Sequence, residues 1–335
     1  MSSQLALVTG GCGFIGSHLV ERLLQEGWGV RVLDNLTTSR LSNLKGVSGN
    51  PRVEVIQENI TDRSAIRGVF QGVQTIFHLA ALADIVPSIQ RPVDYYQANV
   101  TGTLTVLEAA RASSVKRFLY AASSSCYGIA DQIPTPESAP VKPEYPYALT
   151  KYLGEELVLH WGRVYQLEVI SLRLFNVYGP RARTTGTYGA VMGVFLAQKL
   201  AGKPLTIVGD GTQRRDFTYV TDVAEAFWLA AQSSLKGEIL NVGSGGTYSI
   251  NLLAQLIGGP TVHVPKRPAE PDCTFADTTK IRRLLGWRPK VSFEEGIQQL
   301  LLRIGEFSDA PVWTPESIAS ATKEWFATLT SYPPR

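Results

Sequence analysis

Residues 5–21 read Leu5-Ala6-Leu7-Val8-Thr9-Gly10-Gly11-Cys12-Gly13-Phe14-Ile15-Gly16-Ser17-His18-Leu19-Val20-Glu21, an apolar run that breaks at spaced glycines and resumes with helical periodicity. A buried strand that turns into a helix this way is built to hold a dinucleotide pyrophosphate. Gly10 permits the tight turn, Gly13 lets phosphate oxygens approach the backbone, and Gly16 lets the helix pack against the strand. The helix N-terminus then offers free amides to the anion. A second apolar run, Gly29-Val30-Arg31-Val32-Leu33, ends at Asp34, eighteen residues past Gly16. A carboxylate there is placed to accept the adenosine ribose hydroxyls and to repel a 2′-phosphate, so the expected cofactor is NAD and not NADP.

Composition narrows the class. A chain of 335 residues with 44% hydrophobic content can bury a large core, as one large or two intimately joined domains. Its net charge of +3 comes from 32 basic and 29 acidic residues without long runs of one sign, which argues against a nucleic-acid partner or a polybasic membrane anchor. No apolar segment approaches the roughly 20 residues that span a bilayer, and the first core strand begins after four residues without a basic lead or cleavage site. The expected location is cytoplasmic. Cys12, Cys126 and Cys273 are too few and too scattered for a disulfide framework or a zinc site; they read as packing residues, with Cys126 nearest the expected site, and no metal is expected.

Short apolar runs at 5–8, 30–33, 53–57, 75–79, 118–122 and 169–173 alternate with helix-length segments, the pattern of a doubly wound parallel α/β sheet with right-handed crossovers. After Gly179-Pro180 the rhythm changes. A helical stretch at 191–200, a short strand at 205–208 and the loop Gly209-Asp210-Gly211-Thr212-Gln213 suggest a smaller lobe. Residues 1–180 therefore read as the nucleotide-binding domain and 181–335 as an interleaved substrate-binding lobe. A segment near 216–245, with Ile239-Leu240-Asn241-Val242 as its strand, is expected to return to the sheet.

The chemical centre is Tyr147-Ala148-Leu149-Thr150-Lys151, preceded by Ser123 at the end of the 118–122 strand. Four residues apart, Tyr147 and Lys151 share a helix face. A free phenol is a poor base near neutrality, but a nearby ammonium and a positive nicotinamide favour its phenolate. Lys151 is thus expected to lower the Tyr147 pKa and to bind the nicotinamide ribose. Ser123 is expected to hydrogen-bond the reacting sugar hydroxyl and assist the proton transfer.

With these constellations in hand, the chain resembles the extended short-chain dehydrogenase/reductase superfamily, in its NAD-dependent nucleotide-sugar epimerase/dehydratase branch. It is most similar there to UDP-glucose and UDP-N-acetylglucosamine 4-epimerases. The resemblance runs through almost the whole chain, including Asp34-Asn35-Leu36, Phe77-His78-Leu79-Ala80-Ala81, Asn99-Val100-Thr101-Gly102-Thr103, Arg173-Leu174-Phe175-Asn176-Val177-Tyr178-Gly179-Pro180-Arg181, 209–217 and 277–289. It implies a Rossmann-type fold with a smaller C-terminal lobe. It also implies that Phe14, Ile15, Asn35, Asn59, Ile60, Leu79, Ala80, Ala81 and Phe175 line the NAD pocket, with Asn99 behind the nicotinamide. His78, at a strand end in an apolar run, reads as structural. On the substrate side the resemblance gives the diphosphate to Arg215, Arg267 and Asn176, the ribose to Glu270, the base to Thr206 and Val208, and the sugar to Ser123, Ser124 and Thr274.

In this branch the tyrosine takes the proton of the sugar 4-hydroxyl while the C4 hydride passes to NAD, and the fate of the resulting 4-keto sugar distinguishes the enzymes. Dehydratases carry acidic groups, and decarboxylases commonly a glutamate, at the places held here by Ser124 and Ser125, which have no carboxyl for elimination. The expected reaction is therefore C4 epimerisation of a UDP-sugar. Thr274 stands where similar epimerases carry either a tyrosine or a small residue, and its size implies tolerance of N-acetylhexosamines beside plain hexoses. A UDP-glucuronic acid 4-epimerase is the alternative: Val86 lacks the charge some acid-using relatives have, while the three serines could supply hydroxyls. A dehydratase or decarboxylase, a reductase that releases its cofactor, and a noncatalytic NAD-binding regulator complete the alternatives. Segments 93–113 and 147–164 are candidates for a homodimeric four-helix bundle, and 313–334 for a helix closing the lobe.

Overall fold

The inner apolar runs become strands buried on both faces by helices, as parallel crossover connections require, while the edge run 53–56 leaves Glu54 and Val55 exposed. The computed structural model describes residues 4–183 and 191–329. Its main sheet contains β1 (Leu5–Thr9), β2 (Gly29–Leu33), β3 (Val53–Ile56), β4 (Thr75–His78), β5 (Arg117–Ser123), β6 (Glu168–Leu174) and β7 (Glu238–Val242). The order is β7-β6-β5-β4-β1-β2-β3, with every pairing parallel. The chain winds outward from β1 to β3, then restarts at β4 on the other side of β1. The split between β1 and β4 is the switch point beside which such sheets bind ligands.

Two apolar layers cover the sheet. On one face, Leu19 and Leu23 of α1 (Phe14–Gln25) pack with Trp28, Phe77, Leu119, Phe227 and Trp287. On the other, Leu107 of α2 (Gly102–Ala112) and Val158 of α3 (Pro146–Tyr165) pack with Phe70, Ile76, Phe118 and Tyr120. The returning strand is real: β7 pairs with β6 from Glu238↔Ile170 to Val242↔Leu174, after α4 (Val220–Gln232). A separate core around Phe195, Leu253, Phe293, Ile297 and Phe307 holds the smaller lobe together, where Leu205–Val208 pairs with Thr261–Val264.

Two expected elements differ. The 93–113 helix is a continuous helical run in three parts: Pro92–Tyr96, a π-turn at Gln97–Thr101, and α2. The C-terminal segment forms two short helices, Pro315–Ala321 and Lys323–Leu329, and residues 330–334 lie outside the described residues. The break falls at Thr322, which is 2% exposed and whose hydroxyl donates back to the Ile318 carbonyl at 2.8 Å.

Candidate active site

The site begins where β1 turns into α1. Gly10 has φ +71°, and a Cβ there would lie 2.8 Å from the Ala80 nitrogen; one on Gly16 would lie 2.2 Å from the Gly10 carbonyl oxygen. Backbone meets backbone at this turn, so only glycine fits. No side chain caps the N-terminus of α1, which faces a cleft of about 1290 Å³. Asp34, at the end of β2, accepts from the Cys12 amide (3.0 Å), the Leu36 amide (2.9 Å) and the Ser39 hydroxyl (2.6 Å). An ionised carboxylate has about four acceptor positions, so one remains for a hydroxyl donor in the cleft. A cradle that a Cβ would fill, an uncapped helix end and a fixed carboxylate together fit a dinucleotide.

The cleft runs from this turn past the ends of β4 and β5 to the smaller lobe. Its wall includes Gly13, Phe14, Ile15, Asn35, Asn59, Ile60, Leu79, Ala80, Ala81, Ser123, Ser124, Tyr147 and Lys151. Toward the lobe it includes Asn176, Thr206, Val208, Arg215, Arg267, Glu270 and Thr274. Two expected residues do not line it. Asn99 is a brace: its amide bonds both the nitrogen (2.8 Å) and the oxygen (3.0 Å) of Leu82 and donates to the Thr150 hydroxyl, so it fixes the loop after β4 against α3. Phe175, 2% exposed, packs against Tyr127 beside Cys126 and Ala276, where its ring contributes to the core and not to a pocket.

Ser123 ends β5 and caps the turn at Ser124–Tyr127, its Oγ accepting from the Ser125 amide at 3.2 Å and sharing a 2.8 Å hydrogen bond with the Ser125 hydroxyl. Tyr147 faces Ser123 across the cleft wall, and Ser123 favours its phenolate. Tyr147 and Lys151 sit one turn apart on α3. The electrostatics correct the sequence expectation for the protein alone. Burial raises the Tyr147 pKa above the usual phenol value, with only Ser123 opposing it, while burial pushes Lys151 down to about 7 against the help of Glu155. The Lys151 Nζ lies 4.3 Å from the centre of the Tyr120 ring, and the Tyr120 hydroxyl donates to the Lys151 carbonyl at 3.1 Å. A cation over an aromatic face is stabilised where water is excluded.

His78 is structural. Fully buried, it pairs Nδ1 with the Thr9 hydroxyl (2.7 Å) and Nε2 with the Thr103 hydroxyl (2.9 Å), and burial pushes its pKa down to about 3. Thr103 spends its own proton on the Asn99 carbonyl, so Nε2 carries the ring proton and Nδ1 accepts from Thr9.

At the lobe end, Arg214–Arg215 pairs antiparallel with Tyr248–Ser249 and brings Arg215 to the cleft. Arg215 donates to Glu270 at 2.8 Å, and Arg267 lies 3.8 Å from the other oxygen of the same carboxylate and over the Trp325 ring. Two guanidiniums against one acid leave the wall positive, which suits a diphosphate. Asn176 donates to the Thr274 hydroxyl at 2.8 Å, while Thr206 is held through both its amide and its hydroxyl by Gln198.

Several wall residues escaped the sequence reading. Tyr145 and Glu144 precede the Tyr147 helix; Tyr145-Pro146-Tyr147 was the available signal, since a proline at the first helical position fixes the residues on either side of it. Arg183 lines the cleft and pairs with Asp84. A cation is therefore present although Val86, 2% exposed, supplies none. Cys126 does not line the cleft, and burial pushes its thiol up to about 12, as it does that of Cys12. Among the described residues there is no His/Cys/Asp/Glu group able to hold a metal, and no helix long and apolar enough to cross a membrane.

The chain is similar to known proteins over most of its length. A model of the NAD dependent epimerase/dehydratase family matches residues 6–243. A UDP-glucose 4-epimerase of Mycolicibacterium smegmatis is 37% identical over 301 residues, covering 87% of this chain and 95% of that protein. A UDP-N-acetyl-alpha-D-glucosaminuronate decarboxylase of Bacillus cytotoxicus is 33% identical over 312 residues, covering 88% and 96%. Among solved structures, UDP-glucuronic acid 4-epimerase from Bacillus cereus, in complex with UDP-glucuronic acid and NAD, matches with a TM-score of 0.85 at 30% identity, covering 90% of this chain and 99% of that one.

Proposed function

The chain belongs to the NAD dependent epimerase/dehydratase family, and from that premise we propose that it inverts C4 of a UDP-sugar, taking UDP-hexoses and UDP-N-acetylhexosamines. The observation that carries this reading is the placement of Ser123, Tyr147 and Lys151 on one cleft wall, between the glycine turn and the Arg215–Glu270–Arg267 cluster, with only hydroxyls at 124 and 125. When bound, NAD supplies the hydride acceptor for C4. Tyr147 takes the proton of the 4-hydroxyl, Ser123 hydrogen-bonds the same oxygen, and Lys151 supplies the positive charge that offsets the phenolate. Arg215 and Arg267 hold the diphosphate, so the sugar alone turns over and the same tyrosine returns its proton on the opposite face. Thr274, small and tied to Asn176, leaves room for that rotation with an N-acetyl group attached.

Incubation of the purified protein with UDP-glucose, UDP-N-acetylglucosamine or UDP-glucuronic acid, without added NAD, followed by proton NMR, tests this. The C4 epimer of either of the first two is expected. A 4-keto-6-deoxy sugar or a pentose would overturn it. A second reading, hexuronic acid 4-epimerisation, is favoured by the Ser123, Ser124 and Ser125 hydroxyls together with Arg183, a cation that a sugar carboxylate could take from Asp84; UDP-glucuronic acid turning over fastest would support it. The assembly proposed is a homodimer through the faces of the 92–112 helical run and α3, where Val93, Tyr96, Leu104, Leu149, Val164 and Tyr165 are exposed.

A further inference from the structure

The end of the chain supplies part of the cleft wall through Trp313 and Trp325. The Trp313 carbonyl accepts from the Gln198 amide at 2.8 Å, and the same nitrogen donates to the Thr206 hydroxyl at 2.8 Å. Trp325 is buried in the helix Lys323–Leu329, which packs against the helix Ile85–Gln90 that follows Asp84. Ile85 and Pro87 belong to the same wall. The segment is thus tied to Thr206 at its start and reaches from the smaller lobe to the nucleotide-binding domain at its end.

Trp325 meets Arg267 on the way. The Arg267 Cζ lies over the Trp325 ring, 5.4 Å from its centre. The indole Nε1 donates to the Pro268 carbonyl at 2.9 Å, which anchors the ring to the backbone beside the guanidinium's own residue. Glu270 hydrogen-bonds Arg215 at 2.8 Å but stands 3.8 Å from Arg267, longer than a hydrogen bond. A carboxylate closed tightly on Arg267 would cancel its charge and compete with an incoming anion. An aromatic face holds a cation without neutralising it, and leaves the in-plane N–H donors to a pair of phosphate oxygens.

We propose that Trp325 is a positioning residue for diphosphate recognition: its indole holds the Arg267 guanidinium at the cleft wall with its charge unspent, and the C-terminal helices are thereby part of the nucleotide subsite. The inference rests on the reading of Arg267 as a diphosphate ligand. It assigns Trp325 no contact with the sugar and no part in the hydride transfer.

The test is the affinity of the NAD-loaded protein for UDP and for uridine, which has the base and ribose but no phosphate, measured by NMR titration. Trp325→Leu is expected to weaken UDP binding about fivefold and to leave uridine binding unchanged. Trp325→Phe keeps a ring beneath the guanidinium and is expected to stay within about twofold of the unaltered protein, which also guards against misfolding of the leucine variant. Arg267→Met is expected to weaken UDP binding about tenfold, and adding Trp325→Leu to it should cost nothing more, because the residue being positioned is gone. Unchanged UDP binding in Trp325→Leu, an equal loss of uridine binding, a phenylalanine variant no better than the leucine one, or additive losses in the double variant each overturn the proposal. Arg267→Met separates the two claims: full UDP affinity in that variant removes Arg267 as a diphosphate ligand, whereas a weakened Arg267→Met beside an unaffected Trp325→Leu removes the role of Trp325 alone.

Discussion

Lys151 is only 4% exposed, and the cost of burying its charge sets how the NAD-free protein responds to pH. Its pKa falls from 10.5 to about 7 on folding. Between those values the unfolded chain binds the extra proton, so this group's contribution to stability rises with pH across the window; below about 7 both states are protonated and the full penalty applies. Lys151→Met, which keeps the bulk without the charge, should therefore gain stability relative to the unaltered protein at pH 6, on the order of 3 kcal/mol. That gain should shrink toward pH 10, as read by chemical denaturation of NAD-free samples. The same variant should lose nearly all epimerase activity. On the substrate side, Arg215→Met and Arg267→Met should each raise KM for the UDP-sugar about tenfold or more, as expected for a lost charge-assisted contact, with kcat less affected. At this scale the Tyr147/Lys151 pair and the glycine turn were legible because their spacing in sequence is their spacing in space. Arg183 was not, because its partner Asp84 comes from a distant part of the chain.

Helix α3 carries Tyr147, Lys151 and Glu155 on successive turns, and its inner end is fixed by a buried pair. Arg173, 3% exposed, donates to Glu155, 1% exposed, at 2.6 Å, and Ser171 donates to the same carboxylate. Removing one partner strands the other charge in the core, so Glu155→Leu should destabilise by about 3–5 kcal/mol in urea unfolding, while replacing both residues with apolar ones of similar volume should recover much of that loss. At α1, Gly16→Ala places a Cβ 2.2 Å from the Gly10 oxygen, which is backbone and cannot step aside. It should abolish NAD retention through gel filtration, measured as nucleotide released on denaturation. Strands were the most legible elements: β1 to β6 fall within one residue of their expected limits at every end. The π-turn at Gln97–Thr101 was not, because the spacing of apolar residues does not mark a one-residue widening inside a helix.

For the whole molecule, the exposed apolar residues on α2 and α3 lead to a definite expectation. Light scattering should give twice the 36.6 kDa chain mass, and Leu104→Glu together with Leu149→Glu should halve it without unfolding the monomer. The alternation of strands and helices made the sheet legible at this scale, and the apolar run at 239–242 made the return visible. The two-helix ending was hidden, since Thr322 reads as an ordinary polar position until its burial is known. The return of β7 has a further consequence for how the protein is made. A ribosome completes β6 at Leu174, but the strand that covers its open edge does not exist until Val242 has emerged, after Val191–Leu200 and Leu205–Val208 have been synthesised. Throughout that interval the nascent chain carries an unpaired, apolar ladder edge of the kind that recruits neighbouring chains. Slow translation across residues 175–242 should therefore favour aggregation on polysomes, and the safe place for a pause lies beyond Val242.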